Sequence, residues 1–289
     1  MNQQTTLKKI GFFPLTRMII GIGVVVAATV LGEWIKNLLN EHSSLPDFAK
    51  QITGVLLQVA LALFGYIRLF RVYEKRKISE LSLASLPRNA LAGFSIGFFI
   101  QSLSVFMLYL AGDYHITGIN PLSTLMSGLM FGITAGFIAE LILRGIAFRL
   151  LEEWLGTRIS LAIFMLFFAV MHINQPGATW LSILSITIHS GLLLSAGFIY
   201  SRSLWLPIFL HLSWDFAEPG IYGGANPGTS DHSGLFISQI QGPGLFTGGQ
   251  LGPGTSLQAT MFCLITALWF LWLAKREGRF IKPGWEWRL

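Results

Sequence analysis

"GFIAELILRG", residues 136–145, sets Glu140 and Arg144 four positions apart inside an apolar run that extends from 121 to 149. A run of that length crosses a bilayer as a helix. On insertion scales a charged residue at the centre of such a helix costs about 2.5–3.5 kcal/mol. A buried acid and base therefore need a partner or a purpose. The i,i+4 spacing puts the two on one helix face, where they pair. Directly before the glutamate stands Ala139.

Runs of the same kind recur along the chain. Of 289 residues, 53% are hydrophobic and 12% charged, about half the charged fraction of a soluble domain. The runs do not alternate as the strands of a membrane barrel would. The fold class is an all-α polytopic membrane protein, read as one transmembrane domain over 1–289. Eight spans are expected, near 18–34, 52–70, 89–111, 121–149, 158–173, 178–200, 203–218 and 256–274. The basic start, "LKKIGFFPLTRMIIGIGVVVAATV", resembles a signal peptide. Another span follows at once, so it reads as an uncleaved first span.

Charge placement orders these spans. Lys8, Lys9 and Arg17 precede the first, and Arg71, Lys75, Arg76, Lys77 and Arg88 fill the second-to-third connection. Arg149, Arg158 and Arg202 mark the next connections on that side, and Lys275, Arg276, Arg279, Lys282 and Arg288 the tail. Segments 112–120, 173–178 and 219–255 hold no Lys or Arg. The alternation puts both termini in the cytoplasm. It also accounts for the net charge of +6: the basic residues face anionic lipid, so nucleic acid is not an expected partner. Short loops suggest a bacterial inner membrane. The single Cys263 excludes a disulfide within one chain and any CxxC chemistry.

Residues 219–256 differ in kind, with eleven glycines and four prolines. This outer loop is expected to be irregular, either flexible or folded back as a cap, since "GLF" recurs at 234–236 and 244–246.

Few ionisable residues lie inside the spans: Glu140, Arg144, His172, His189, His211 and Asp215. Alone, Arg144 fits a snorkelling anchor, His172 an interfacial histidine, and His189 a packing or hydrogen-bonding residue. Asp215, at i+4, fits a carboxylate that orients His211. Together they exceed what packing requires. A buried carboxylate with histidines can activate water, and a histidine with a second polar side chain can hold an oxyanion. Hydrolysis of a peptide bond in or next to the bilayer fits. Zinc competes for such residues, but no HExxH is present, and serine chemistry lacks a GxSxG. No metal or cofactor is expected. A transporter with a proton relay is a third class, for which no inverted repeat is visible.

"AELILRG" (139–145), "FAVMH" (168–172) and "HLSWD" (211–215) resemble, in order, the motifs EExxxR, FxxxH and HxxxN/D of the CAAX-protease and bacteriocin-processing family. These are intramembrane glutamic endopeptidases related to the prenyl-protein endopeptidase. "LFTGGQLGPGTS" (245–256) also looks like a glycine-rich stretch of some bacterial members. The resemblance implies that His172 activates water, that His211 and Asp215 hold the substrate carbonyl or oxyanion, that Phe168 packs beside them, and that Arg144 with Glu140 braces the site. The substrate would be a peptide or a membrane-anchored protein.

The departure from the pattern falls on the catalytic carboxylate. Counted back from Arg144, Glu140 is the second glutamate of the motif and Ala139 stands at the first. Helix neighbours point about 100° apart, so Glu140 is not expected to substitute for it without rearrangement. Three readings follow: a disarming substitution in a protease, a non-hydrolytic scaffold or immunity-type relative, or a transfer of the role to Glu140.

Overall fold

The computed structural model describes residues 11–223 and 234–284. Lys8, Lys9, Arg288 and residues 224–233 of the glycine-rich loop lie outside them. The chain is an all-α polytopic membrane protein with one small pair of strands. Helices α1 (Pro14–His42) and α2 (Asp47–Tyr73) form an antiparallel hairpin. Helix α3 (Leu86–Ala111) follows and ends on Gly112 at φ 79°, a left-handed stop that costs glycine nothing. Strand β1 (Tyr114–Ile119) leads into α4 (Thr124–Glu140).

The helix then passes through a π-helical stretch, Leu141–Phe148, into α5 (Arg149–His172). It bends at Gly156, φ 77° and ψ 165°, which is not helical backbone. The C-terminal segment packs against this bend: a side chain at 156 would meet the Pro283 nitrogen at 2.8 Å. Helix α6 (Trp180–Ile186) continues through a second π stretch, Thr187–Leu193, into α7 (Leu194–Ser201). Helix α8 (Trp205–Asp215) continues through a third, Phe216–Ile221. Strand β2 (Phe236–Ile240) pairs antiparallel with β1, and α9 (Leu257–Arg276) closes the bundle.

Among the described residues, six helices are long and apolar enough to cross a membrane, and one of them is the 49-residue stretch Thr124–His172 that bends at Gly156. Large side chains such as Ile19, Phe64, Leu91, Leu166 and Ile265 stand exposed around the bundle, a surface that lipid covers and water would not tolerate.

Two expectations need adjustment. The seventh apolar segment was to stop at 218 because Pro219 and Gly220 follow, yet the π stretch carries through both to Ile221. A widened turn accommodates the missing proline N–H. The glycine-rich loop, for its part, is built. Residues 236–240 add a strand, Gly244–Thr247 makes one helical turn, and Leu251 to Ser256 are buried.

One end of the bundle carries a layer of ion pairs. Glu74 receives Arg17 at 2.6 Å, Arg76 at 2.8 Å and Arg149 at 3.1 Å. Arg76 also binds Glu80 at 2.6 Å, and Arg202 binds Glu152 at 2.6 Å. Burial alone would raise the Glu74 carboxyl, but Arg149 and Arg17 outweigh it and hold the group below its ordinary value. At Glu80 burial is likewise outweighed by Arg76 and the Tyr66 hydroxyl. That hydroxyl, fully buried, lies 2.6 Å from Glu80 Oε1 and 2.9 Å from the Gly145 carbonyl, tying this layer to the first π stretch.

Candidate active site

Helix α8 is wedged between α3 and α4, and glycines let it approach both. Gly128, Gly132 and Gly136 recur every four residues on α4, a small-residue stripe of the kind that lets membrane helices touch. A Cβ at 132 would lie 2.6 Å from the Leu212 carbonyl, and one at 136 would lie 2.8 Å from the Ile208 carbonyl. The next position of the stripe is Glu140. Contact along the stripe therefore carries this carboxylate onto α8, where Oε1 lies 2.8 Å from His211 Nδ1. Gly93 and Gly97 make a matching stripe on α3 against Leu206 and Leu210. Its next position is Gln101, whose Nε2 donates to Glu218 Oε2 at 2.6 Å.

Glu140 and Arg144 are both fully buried. Arg144 Nη1 donates to Glu140 Oε1 at 2.9 Å, and Nη2 donates to the Ser190 carbonyl. Its guanidinium carbon lies 5.4 Å from the Phe168 ring centre and 5.9 Å from that of Phe164. The snorkelling alternative for Arg144 is thus ruled out by contact: the side chain reaches inward and binds three elements. The π stretches contribute here. They place Arg144 and Ser190 on locally widened turns, a geometry that often accompanies functional sites.

His211 lies between two carboxylates. Its Nδ1 faces Glu140, and its Nε2 is 3.4 Å from Asp215 Oδ2. A carboxylate only accepts, so Nδ1 carries the N–H toward Glu140. His172 is arranged differently. Its Nδ1 lies 2.9 Å from the Phe168 carbonyl. A carbonyl only accepts, so the proton sits on Nδ1 and the Nε2 lone pair is left for another partner. The His172 and Phe168 rings are stacked with centres 6.2 Å apart. Phe168 thus joins His172 to Arg144. Among the described residues, no hydrogen bond or ion pair links His172 directly to Glu140, His211 or Asp215. The structure brings Glu140, Arg144, His211 and Asp215 into one polar cluster and sets His172 beside it across Phe168. Ala139 is partly buried. Glu140, expected to brace the site with Arg144, touches the third motif directly.

Two further residues lie here: His189, read from the sequence as packing or hydrogen-bonding, and Glu218, which sequence reasoning passed over. His189 is buried, its ring stacked on Trp214 with centres 3.8 Å apart and set edge-on to His211 at 6.4 Å. Glu218 is also buried, and its Oε1 accepts from the Gly254 amide at 2.8 Å, docking the glycine-rich loop onto α8. The spacing Asp215/Glu218, one turn apart, was the only signal for the latter. Among the described residues, no group of three His, Cys, Asp or Glu has the geometry to hold a metal ion.

Fold and site together define a polytopic helical membrane protein with a carboxylate–histidine cluster between α4 and α8. The model of the family described as type II CAAX prenyl endopeptidase, Rce1-like, matches residues 121–217, the stretch that contains all three motifs. Over that stretch, about a third of the chain, the protein is similar to this protease family. No curated protein and no solved structure matches the chain.

Proposed function

We propose that this protein is an intramembrane endopeptidase of the glutamic type whose turnover is disarmed at Ala139, acting on a peptide or a membrane-anchored protein. The observation that carries the reading is the contact Glu140–His211–Asp215 between α4 and α8, braced by Arg144. It unites the first and third motifs of the matched family stretch. In this reading His172 offers its free Nε2 to a water, as a base must. His211 supplies the N–H that an oxyanion requires, and Asp215, a carboxylate that only accepts, orients its ring. Arg144 and Phe168 hold Glu140 and His172 in place. The missing part is the carboxylate at 139 that would complete the base.

The non-hydrolytic alternative, a membrane scaffold or immunity-type protein, is favoured by one observation. Glu140 Oε1 is already engaged by both Arg144 and His211, so it does not simply replace the absent group. The eight-span plan rests on the bend at Gly156 and on α8 with its π extension, added to the other apolar helices. Both ends of the described chain lie at the ion-pair layer, where Tyr73 bonds the Gly11 carbonyl and Gly284 bonds Trp154. We place this layer in the cytoplasm of a bacterial cell.

Restoring the carboxylate tests the proposal. Ala139→Glu is expected to cleave members of a membrane-peptide library, and Ala139→Glu with His172→Ala to lose that cleavage. An inert Ala139→Glu variant that is folded would support the scaffold instead. Cleavage by the unaltered protein that Glu140→Gln abolishes would move the role to Glu140.

A further inference from the structure

At the end of the bundle that carries the ion-pair layer, a cavity of about 600 Å³ opens between the start of α3, the α7–α8 turn and the end of α9. Its lining changes character along its depth. Toward the charged end lie Arg88, Asn89, Glu277 and Arg279. Two turns further along α3 the walls are apolar, with Ile96 facing Leu206 and Trp269. The protein thus offers a cation-lined mouth and a greasy interior within one space.

The charges in the mouth do not cancel. Arg279 pairs with Glu277 at 2.7 Å. Arg88 is exposed, and among the described residues it makes no ion pair or side-chain hydrogen bond. It is set apart from the nearby layer, where Arg17, Arg76, Arg149 and Arg202 are each bound to glutamate. Two arginines against one glutamate leave one positive charge, the complement of a single phosphodiester. Arg88 sits in the first turn of α3, where helix amide dipoles add to the attraction for an anion. Asn89 supplies further donors. Arginine is the side chain best suited to phosphate oxygens.

We infer that this cavity binds one anionic glycerophospholipid, its phosphodiester against Arg88 and an acyl chain between α3 and α9. A free phosphate would use the mouth but gain nothing from the apolar walls, and a zwitterionic lipid would fill the walls but bring no net charge. Basic pockets between membrane helices bind anionic headgroups in this manner. The site involves none of the residues of the candidate active site and does not depend on turnover.

The test uses the full chain, purified in detergent and stripped of lipid, then equilibrated with vesicles of phosphatidylglycerol or phosphatidylcholine. Native mass spectrometry counts the lipid retained. One phosphatidylglycerol per chain is expected, held about tenfold more tightly than phosphatidylcholine, the scale of one charge-assisted contact. Arg88→Gln should remove that preference, while Arg71→Gln, a basic residue elsewhere at this end, should keep it. Ala92→Trp, which fills the apolar part and leaves the charges alone, should weaken both lipids. Equal retention of the two lipids by the unaltered protein would overturn the inference. So would equal losses in Arg88→Gln and Arg71→Gln. Full competition by glycerol 3-phosphate with Ala92→Trp unaffected would show a phosphate site and overturn the lipid assignment.

Discussion

The ion-pair layer and the buried cluster are both made of arginine and glutamate, yet they are completed differently. In the layer, Glu74 alone has three arginine partners, and Glu80 accepts from Arg76 and Tyr66. The network closes on itself. In the cluster, Glu140 Oε2, Arg144 Nε and His189 Nε2 are buried and, among the described residues, have no hydrogen-bond partner. Leaving such groups unmatched costs stability, about 1–3 kcal/mol each, and a structural network would be selected to avoid it. The layer is closed by its own ion pairs, whereas the cluster is not.

Four changes would break or sharpen that contrast, beginning with the largest. Arg144→Met leaves Glu140 buried without its cation, and is expected to cost about 3–5 kcal/mol, read as a lowered midpoint of unfolding in detergent. Adding Glu140→Gln should recover part of the loss, because the stranded charge is then gone. Gly132→Val comes next. Its side chain would press on the Leu212 carbonyl, 2.6 Å from the added Cβ, and overpacking of this kind costs roughly 1–3 kcal/mol. It should also weaken the coupling of Glu140 to α8. Gln101→Leu, which strips a donor from the buried Glu218, is expected to cost about 1–2 kcal/mol and to make the described part of the glycine-rich loop more sensitive to protease.

The smallest effect is titration of the layer. Glu74 and Glu80 are held below the ordinary carboxylate value of 4.5 in the folded protein. A depressed folded value means that this stabilisation is complete above pH 4.5 and is lost as the pH falls below it. The midpoint of unfolding should therefore drop on going from pH 6 to pH 3, and less steeply in the double variant Glu74→Gln, Glu80→Gln. An identical drop in the variant would mean that the layer contributes nothing to acid sensitivity.

The contrast also explains what the sequence could and could not tell. The apolar runs announce the helices directly, and charge spacing within a run exposes Glu140/Arg144 and His211/Asp215, because residues four apart share a face. The motif order added Phe168 and His172. What local pattern does not encode is partnership between distant segments. Arg144 and Ser190 meet across 46 residues, and Gln101 and Glu218 across 117. Gly128, Gly132 and Gly136 did carry a readable period, whose fourth position is Glu140, and reading it as a contact stripe would have pointed that side chain at a neighbouring helix. His189 looked like packing because its partners, Trp214 and His211, lie on another helix. The π stretches depend on tertiary contacts and leave no composition signal. The pairing of β1 with β2 joins segments more than a hundred residues apart, one of them in a stretch too rich in glycine to read as a strand.

The central claim is that α4 and α8 present Glu140 and His211 to one another in direct contact. A double-mutant cycle over Glu140→Gln and His211→Asn, read by unfolding of the detergent-purified chain, measures that contact most directly. A coupling of about 1 kcal/mol or more is expected for a buried carboxylate and its hydrogen-bond donor. Simple additivity of the two substitutions would contradict it.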